Sequence, residues 1–65
     1  MFVGEVAEVG EEVTANRDLP KKDIFRGETG VVESVTCIDS EEYYFLRLAD
    51  GRHIGPSVVS CWDRS

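Results

Sequence analysis

No window longer than ten residues in this chain carries apolar residues at the i, i+3, i+4, i+7 spacing that one face of a helix needs. What recurs instead are short β-branched or aromatic runs, each broken by Gly, Pro, Asp or Asn. Such runs bury side chains by alternation rather than by a stripe, and the pattern predicts an all-β domain of small strands. At 65 residues there is room for one domain only, because a chain this short keeps much of its surface exposed even when folded. Its core stabilises the fold by only about 3–5 kcal/mol.

The strands can be placed from the breakers. Residues 1–8 read as an N-terminal arm or a short edge strand, weakened by glycine, and residues 9–65 as the domain proper. Glu11 to Ala15 reads as the first strand, with Val13 inward. Asn16 to Arg26 is a long polar loop carrying Pro20, pinned to the core by Leu19 and by Ile24 or Phe25. Gly27 to Gly30 reads as a turn. Val31 to Ile38 and Tyr43 to Ala49 are the clearest strands, joined by a turn over Asp39 to Glu42. Asp50-Gly51 predicts a type I′ hairpin leading into a short strand, Arg52 to Ile54, which Gly55-Pro56 should end. A single 3₁₀ turn over Ser57 to Val59 and a last strand from Ser60 to Asp63 complete the chain.

Five short strands, a long loop after the first and a helical turn before the last resemble the SH3-like small barrel. The resemblance spans roughly residues 9–63. It rests on Val9 to Ala15 (VGEEVTA), Phe25 to Val35 (FRGETGVVESV), Tyr43 to Gly51 (YYFLRLADG) and Pro56 to Trp62 (PSVVSCW). Gly27, Gly30 and Val32 are similar to the Gly-x-x-Gly-x-Val core of KOW-type barrels. Leu19-Pro20, Phe25-Arg26-Gly27 and Gly30-Val31-Val32-Glu33 resemble the C-terminal barrel of the nitrile hydratase β subunit, with a longer gap between the Leu-Pro and Arg-Gly pairs here. Photosystem I accessory subunits and the variable chain of ferredoxin–thioredoxin reductase share the barrel. The resemblance implies a five-stranded SH3-like barrel used as a binding or stabilising module beside a larger partner. It carries over no active-site residue, since one barrel hosts many functions.

Charge narrows the function classes. Thirteen acidic residues against seven basic ones leave a net charge of -6, which argues against a general nucleic-acid binder relying on phosphate neutralisation. The small size argues against a free-standing enzyme. Cys37 and Cys61 form no paired Cys motif and His53 is the single histidine, so neither a metal site nor a cofactor is expected. His53 beside Ser57, Ser60 and Cys61 offers no nucleophile elbow. No apolar run approaches the roughly 18 residues of a membrane span. The first ten residues lack the basic start of a signal peptide, so a cytoplasmic location is the expectation.

Three surfaces remain as candidates. Alternation along Tyr43 to Ala49 puts Tyr44, Leu46 and Leu48 inward and Tyr43, Phe45 and Arg47 outward. Aromatic residues and Arg are the types enriched at binding hot spots, although Phe2 and Val3 of the arm can equally fold across Phe45. The loop Asn16–Arg26 carries Arg17, Lys21, Lys22 and Arg26 against Asp18 and Asp23, a local charge of +2 on an acidic body. That sign is opposite to the acidic loop beside the groove of proline-peptide-binding SH3 domains, whose Trp-Trp pair and Ala-Leu-Tyr-Asp-Tyr signature are also missing. Trp62, opposite Val59 and Cys61 by alternation, either caps the barrel end or anchors a partner.

The leading expectation is a non-catalytic interaction module, an accessory or regulatory subunit docking on a larger protein or enzyme complex. Its expected surface combines Lys21, Lys22, Phe25, Arg26, Tyr43, Phe45, Arg47 and Trp62, and a homodimer is a further possibility. A small acidic barrel of this kind would suit a bacteriophage accessory protein. A second reading makes Glu5, Glu8, Glu11, Glu12, Asp39, Glu41 and Glu42 a mimic of nucleic-acid phosphates. A third stacks single-stranded bases on the aromatics beside the basic loop.

Overall fold

The computed structural model describes residues 6–64. Five antiparallel strands form one sheet: β1 (Glu12–Ala15), β2 (Thr29–Ile38), β3 (Glu41–Leu48), β4 (His53–Val58) and β5 (Trp62–Arg64). Their order across the sheet is β4-β3-β2-β1-β5. The all-β class and the 3₁₀ turn before the last strand are as expected. The order is open, however. β4 and β5 are its two ends, and no pairing among the described residues joins them. The ladder therefore does not close into a barrel.

The core follows from strand alternation. Val13 and Ala15 of β1, Val32 of β2, Tyr44, Leu46 and Leu48 of β3 and Trp62 of β5 are all buried, with Ile24 from the loop and Ala7 from the N-terminal side. The backbone N–H of Ala7 donates to the buried Tyr44 hydroxyl at 2.7 Å. Residues 6 and 7, assigned to the arm, thus pack on the core. Phe2, Val3 and Glu5 lie outside the described residues.

Several boundaries differ from expectation, each for a local reason. Gly55-Pro56 does not end the fourth strand, since β4 continues through it to Val58. The pair sits in a bulge on an edge strand, where a proline N–H is not needed by a ladder. The 3₁₀ turn consequently falls later, over Val59–Cys61, and the last strand begins at Trp62. Gly30 is not in a turn but inside β2, paired with Val13 on one side and Leu48 on the other. A Cβ there would stand 3.1 Å from Leu48 Cδ2 and 3.3 Å from the Arg47 carbonyl oxygen. Close strand approach, not turn geometry, accounts for this glycine.

The type I′ geometry expected at Asp50-Gly51 is found instead at the β2–β3 turn. Asp39 and Ser40 both have positive φ, 51° and 67°. This is the type I′ pattern in a two-residue loop. At the other hairpin only Gly51 is left-handed, at φ 96°. The Gly51 N–H donates to the Leu48 carbonyl, and the Leu48 N–H donates to that of Arg52. Asp50-Gly51 is therefore the end of a three-residue loop with a glycine bulge, not a type I′ turn.

Candidate binding face

The outer face of β3 is built by two bulges that flank one residue. On the β2 side, Val32 pairs with Leu46 and Ser34 with Phe45, so Glu33 is extra. On the β4 side, Ser57 pairs with Tyr44 and Ile54 with Leu46, so Gly55 and Pro56 together face Phe45. Bulges bend and twist strands locally, and here both neighbours bend at the same level. Gly55 leaves room for the Phe45 ring. With φ at 144°, a Cβ on Gly55 would lie 2.6 Å from Phe45 Cδ1 and 3.0 Å from the Tyr44 carbonyl oxygen.

The ring held there is 37% exposed in the middle of the sheet. Tyr43 beside it is half-buried, and its hydroxyl donates to Glu41 Oε1 at 3.4 Å. Arg47 is exposed, and its guanidinium has no hydrogen-bond or ion-pair partner among the described residues. It lines a shallow depression of about 220 Å³ with Glu12, Thr29 and Val31. On the same face, Glu33 reaches across β3, placing Oε1 2.9 Å from His53 Nδ1. The outward assignment of Tyr43, Phe45 and Arg47 is thus what alternation predicts. Chemically, this face offers an apolar ring beside an uncommitted cation.

The other expected residues lie elsewhere. The indole of Trp62 is 4% exposed, and its N–H donates to the buried Ser57 hydroxyl at 2.9 Å. Alternation misplaces it because residues 59–61 form a 3₁₀ turn rather than a strand. Trp62 caps the core and presents no anchor. The loop after β1 contains a 3₁₀ turn, Pro20–Lys22, closed by a bridge between Leu19 and Ile24. Ile24 is the residue that pins it; Phe25 is 49% exposed. Lys21, Lys22 and the Arg26 guanidinium have no partner among the described residues, whereas Arg17 donates to the Ser60 carbonyl and to Asn16 Oδ1. This loop borders the Asp50–Arg52 hairpin. Tyr43 lies five residues back along β3 from Leu48, about 17 Å of strand. Tyr43 and the basic loop are therefore at opposite ends of β3, whereas Arg47 stands next to Leu48 at the loop's end of the strand.

Arg52 makes that border, and nothing in the sequence marked it. Its guanidinium meets Asp50 at 2.7 Å, Glu28 at 3.4 Å and Asp23 at 3.6 Å, and it donates to the Asp23 carbonyl at 3.0 Å. A backbone hydrogen bond from Arg52, reinforced by that side chain, holds the Asp50 carboxyl below its ordinary range. Asp50 is two residues away, but Asp23 and Glu28 are 29 and 24 residues away, so no local signal could have shown the whole cluster.

The acidic candidates are also divided. Glu11 accepts from the Glu8 N–H at 2.6 Å and pairs with Arg64 at 2.8 Å. The backbone hydrogen bond first, and Arg64 second, lower its carboxyl from the ordinary value. Asp39, Glu41 and Glu42 are exposed around the β2–β3 turn, and Glu8 and Glu12 are exposed near β1. Cys37 and Cys61 are free thiols. Among the described residues, no three His, Cys, Asp or Glu side chains are arranged to hold a metal ion, and no helix is long and apolar enough to cross a membrane. No family model, no curated protein and no solved structure matches the chain.

Proposed function

We propose that this chain is a non-catalytic protein-interaction module, an accessory or regulatory subunit that docks on a larger protein through the face around Phe45 and Arg47. The observation that carries this reading is the exposed Phe45 ring, fixed between two bulges beside an unpaired Arg47. An aromatic ring and an arginine contribute most to binding when a partner covers them. A rigid strand presents them at little ordering cost. The partner chemistry that fits is an apolar side chain for the ring and a carboxylate for the guanidinium. The scaffold we assign is an open variant of the SH3-like small barrel, its β4 and β5 edges left unpaired among the described residues. It is supported by five strands with a long first loop and a 3₁₀ turn before the last strand. The phosphate-mimic reading is weaker, because Glu11 is already engaged by Arg64.

The test is affinity capture from the lysate of the source cell with three tagged forms: the natural chain, Phe45→Ser/Arg47→Glu, and Lys21→Glu/Lys22→Glu. Retention of one protein by the natural chain and the lysine variant, with loss from the Phe45/Arg47 variant, is the expected result. Equal retention by all three removes this face from the reading. Loss confined to the lysine variant transfers the function to the loop.

A further inference from the structure

We propose that the two ends of this molecule are complementary and that copies of the chain associate head to tail, the β2–β3 hairpin of one copy seating on the Leu19–Lys22 turn of the next. The two ends are the two ends of β3. At one end the hairpin outruns its neighbours. β1 reaches only Val31 of β2, and the last β4 partner on β3 is Tyr43. Residues 37–42 are consequently exposed on both faces. Ile38, 46% exposed, stands there among Asp39, Glu41 and Glu42. Hydrophobic exposure at a two-stranded tip, ringed by one sign of charge, is the form of a plug.

At the other end the loop after β1 forms a socket of opposite charge. A depression of about 310 Å³ is lined by Asp18, Leu19, Pro20, Lys21 and Lys22. The depression is open to solvent, and its apolar floor of Leu19 and Pro20 is flanked by the two lysines, which suits the Ile38 side chain and the carboxylates around it. Arg52, by holding Asp23, fixes the socket to the opposite end of β3 from the hairpin tip. The occupant is a second copy, because tip and socket belong to one chain and match in charge sign and in their apolar centres. They lie at opposite ends of β3 and are different surfaces, so the contact is heterologous and leaves a free end for a further copy. Charge matching acts only at close range, within a Debye length of about 10 Å at 0.1 M salt. Beyond that distance both this attraction and the repulsion between copies of net charge -6 are screened.

Light scattering on the purified chain over a concentration series tests this. At low salt the apparent mass should rise to about twice the monomer value or more. Near 1 M salt, with a Debye length of about 3 Å, it should return to monomer. Glu41→Lys/Glu42→Lys and Lys21→Glu/Lys22→Glu should each be monomeric alone, because like charges then meet. An equimolar mixture of the two should associate again, since each tip now finds an opposite socket. The near-UV signal of buried Trp62 checks that each variant is folded. Should the lysine-bearing hairpin fail that check, Ile38→Ser replaces it and should also abolish association. A natural chain that stays monomeric throughout overturns the proposal. So does association that survives both reversals, or a mixture that does not recover it. Phe45→Ser/Arg47→Glu should self-associate normally, which keeps this result separate from the fate of the proposed docking face.

Discussion

The indole N–H of Trp62 donates to the hydroxyl of Ser57 across 2.9 Å, and both groups are buried. Ser57 lies on β4 and Trp62 opens β5, the two ends of the strand order. A side-chain hydrogen bond therefore ties together two edges that no backbone ladder joins. Replacing Ser57 by Ala leaves the indole donor buried without an acceptor. That should cost about 1–3 kcal/mol, read as a lower urea midpoint with an unchanged slope. Ser57→Thr, which keeps the hydroxyl, should recover part of the loss.

Gly55 is the second sensitive position. Gly55→Ala puts a methyl group 2.6 Å from the Phe45 ring and 3.0 Å from both Phe45 Cα and the Tyr44 carbonyl, at φ 144°. The backbone conformation alone costs on the order of 1–3 kcal/mol. Trimming the ring relieves only the first clash. The double variant with Phe45→Ala should therefore remain well below Phe45→Ala in stability, as equilibrium denaturation would show.

Arg52 holds the long loop by its bonds to Asp23, Glu28 and Asp50. Its side chain is 37% exposed, so each ion pair is screened and is worth only about 0.2–1 kcal/mol. Arg52→Gln should thus lower global stability modestly. Amide exchange should show more, with the Leu19 and Ile24 N–H groups losing protection while those of β2 and β3 keep theirs.

Glu11 should respond to pH in a defined direction. Its folded carboxyl titrates below the ordinary value of 4.5, through the Glu8 backbone N–H and then Arg64. A lowered folded value means that its contribution is present above about pH 4.5 and fades as pH falls through the folded value. Glu11→Gln should therefore be less stable than the natural chain at neutral pH. The two should converge as pH falls from the ordinary carboxylate range through the lowered folded value. A gap of constant size across that range would contradict the assignment.

Alternation is a local property, and what depends on it was legible in the sequence. Tyr44, Leu46 and Leu48 are inward and Phe45 and Arg47 outward as the period of two demands. β2 and β3 were placed to within two residues at each boundary because their β-branched and aromatic runs are long. Gly55-Pro56 misled because a chain break and an edge-strand bulge look alike until the strand on the other side is known. Trp62 misled because a three-residue 3₁₀ turn shifts the phase of everything after it.

The sequence by itself determined the all-β class, the facing of the central strands and the separation of a basic loop from an acidic remainder. Each is set by neighbouring residues or by composition. The tertiary structure alone decided that the sheet stays open with Ser57 and Trp62 spanning its edges. It decided that two bulges meet at Phe45, and that Arg52 gathers carboxylates contributed by separate segments of the chain. These features rest on contacts between residues far apart in the chain, formed only when packing, strand register and hydrogen-bond satisfaction are met together.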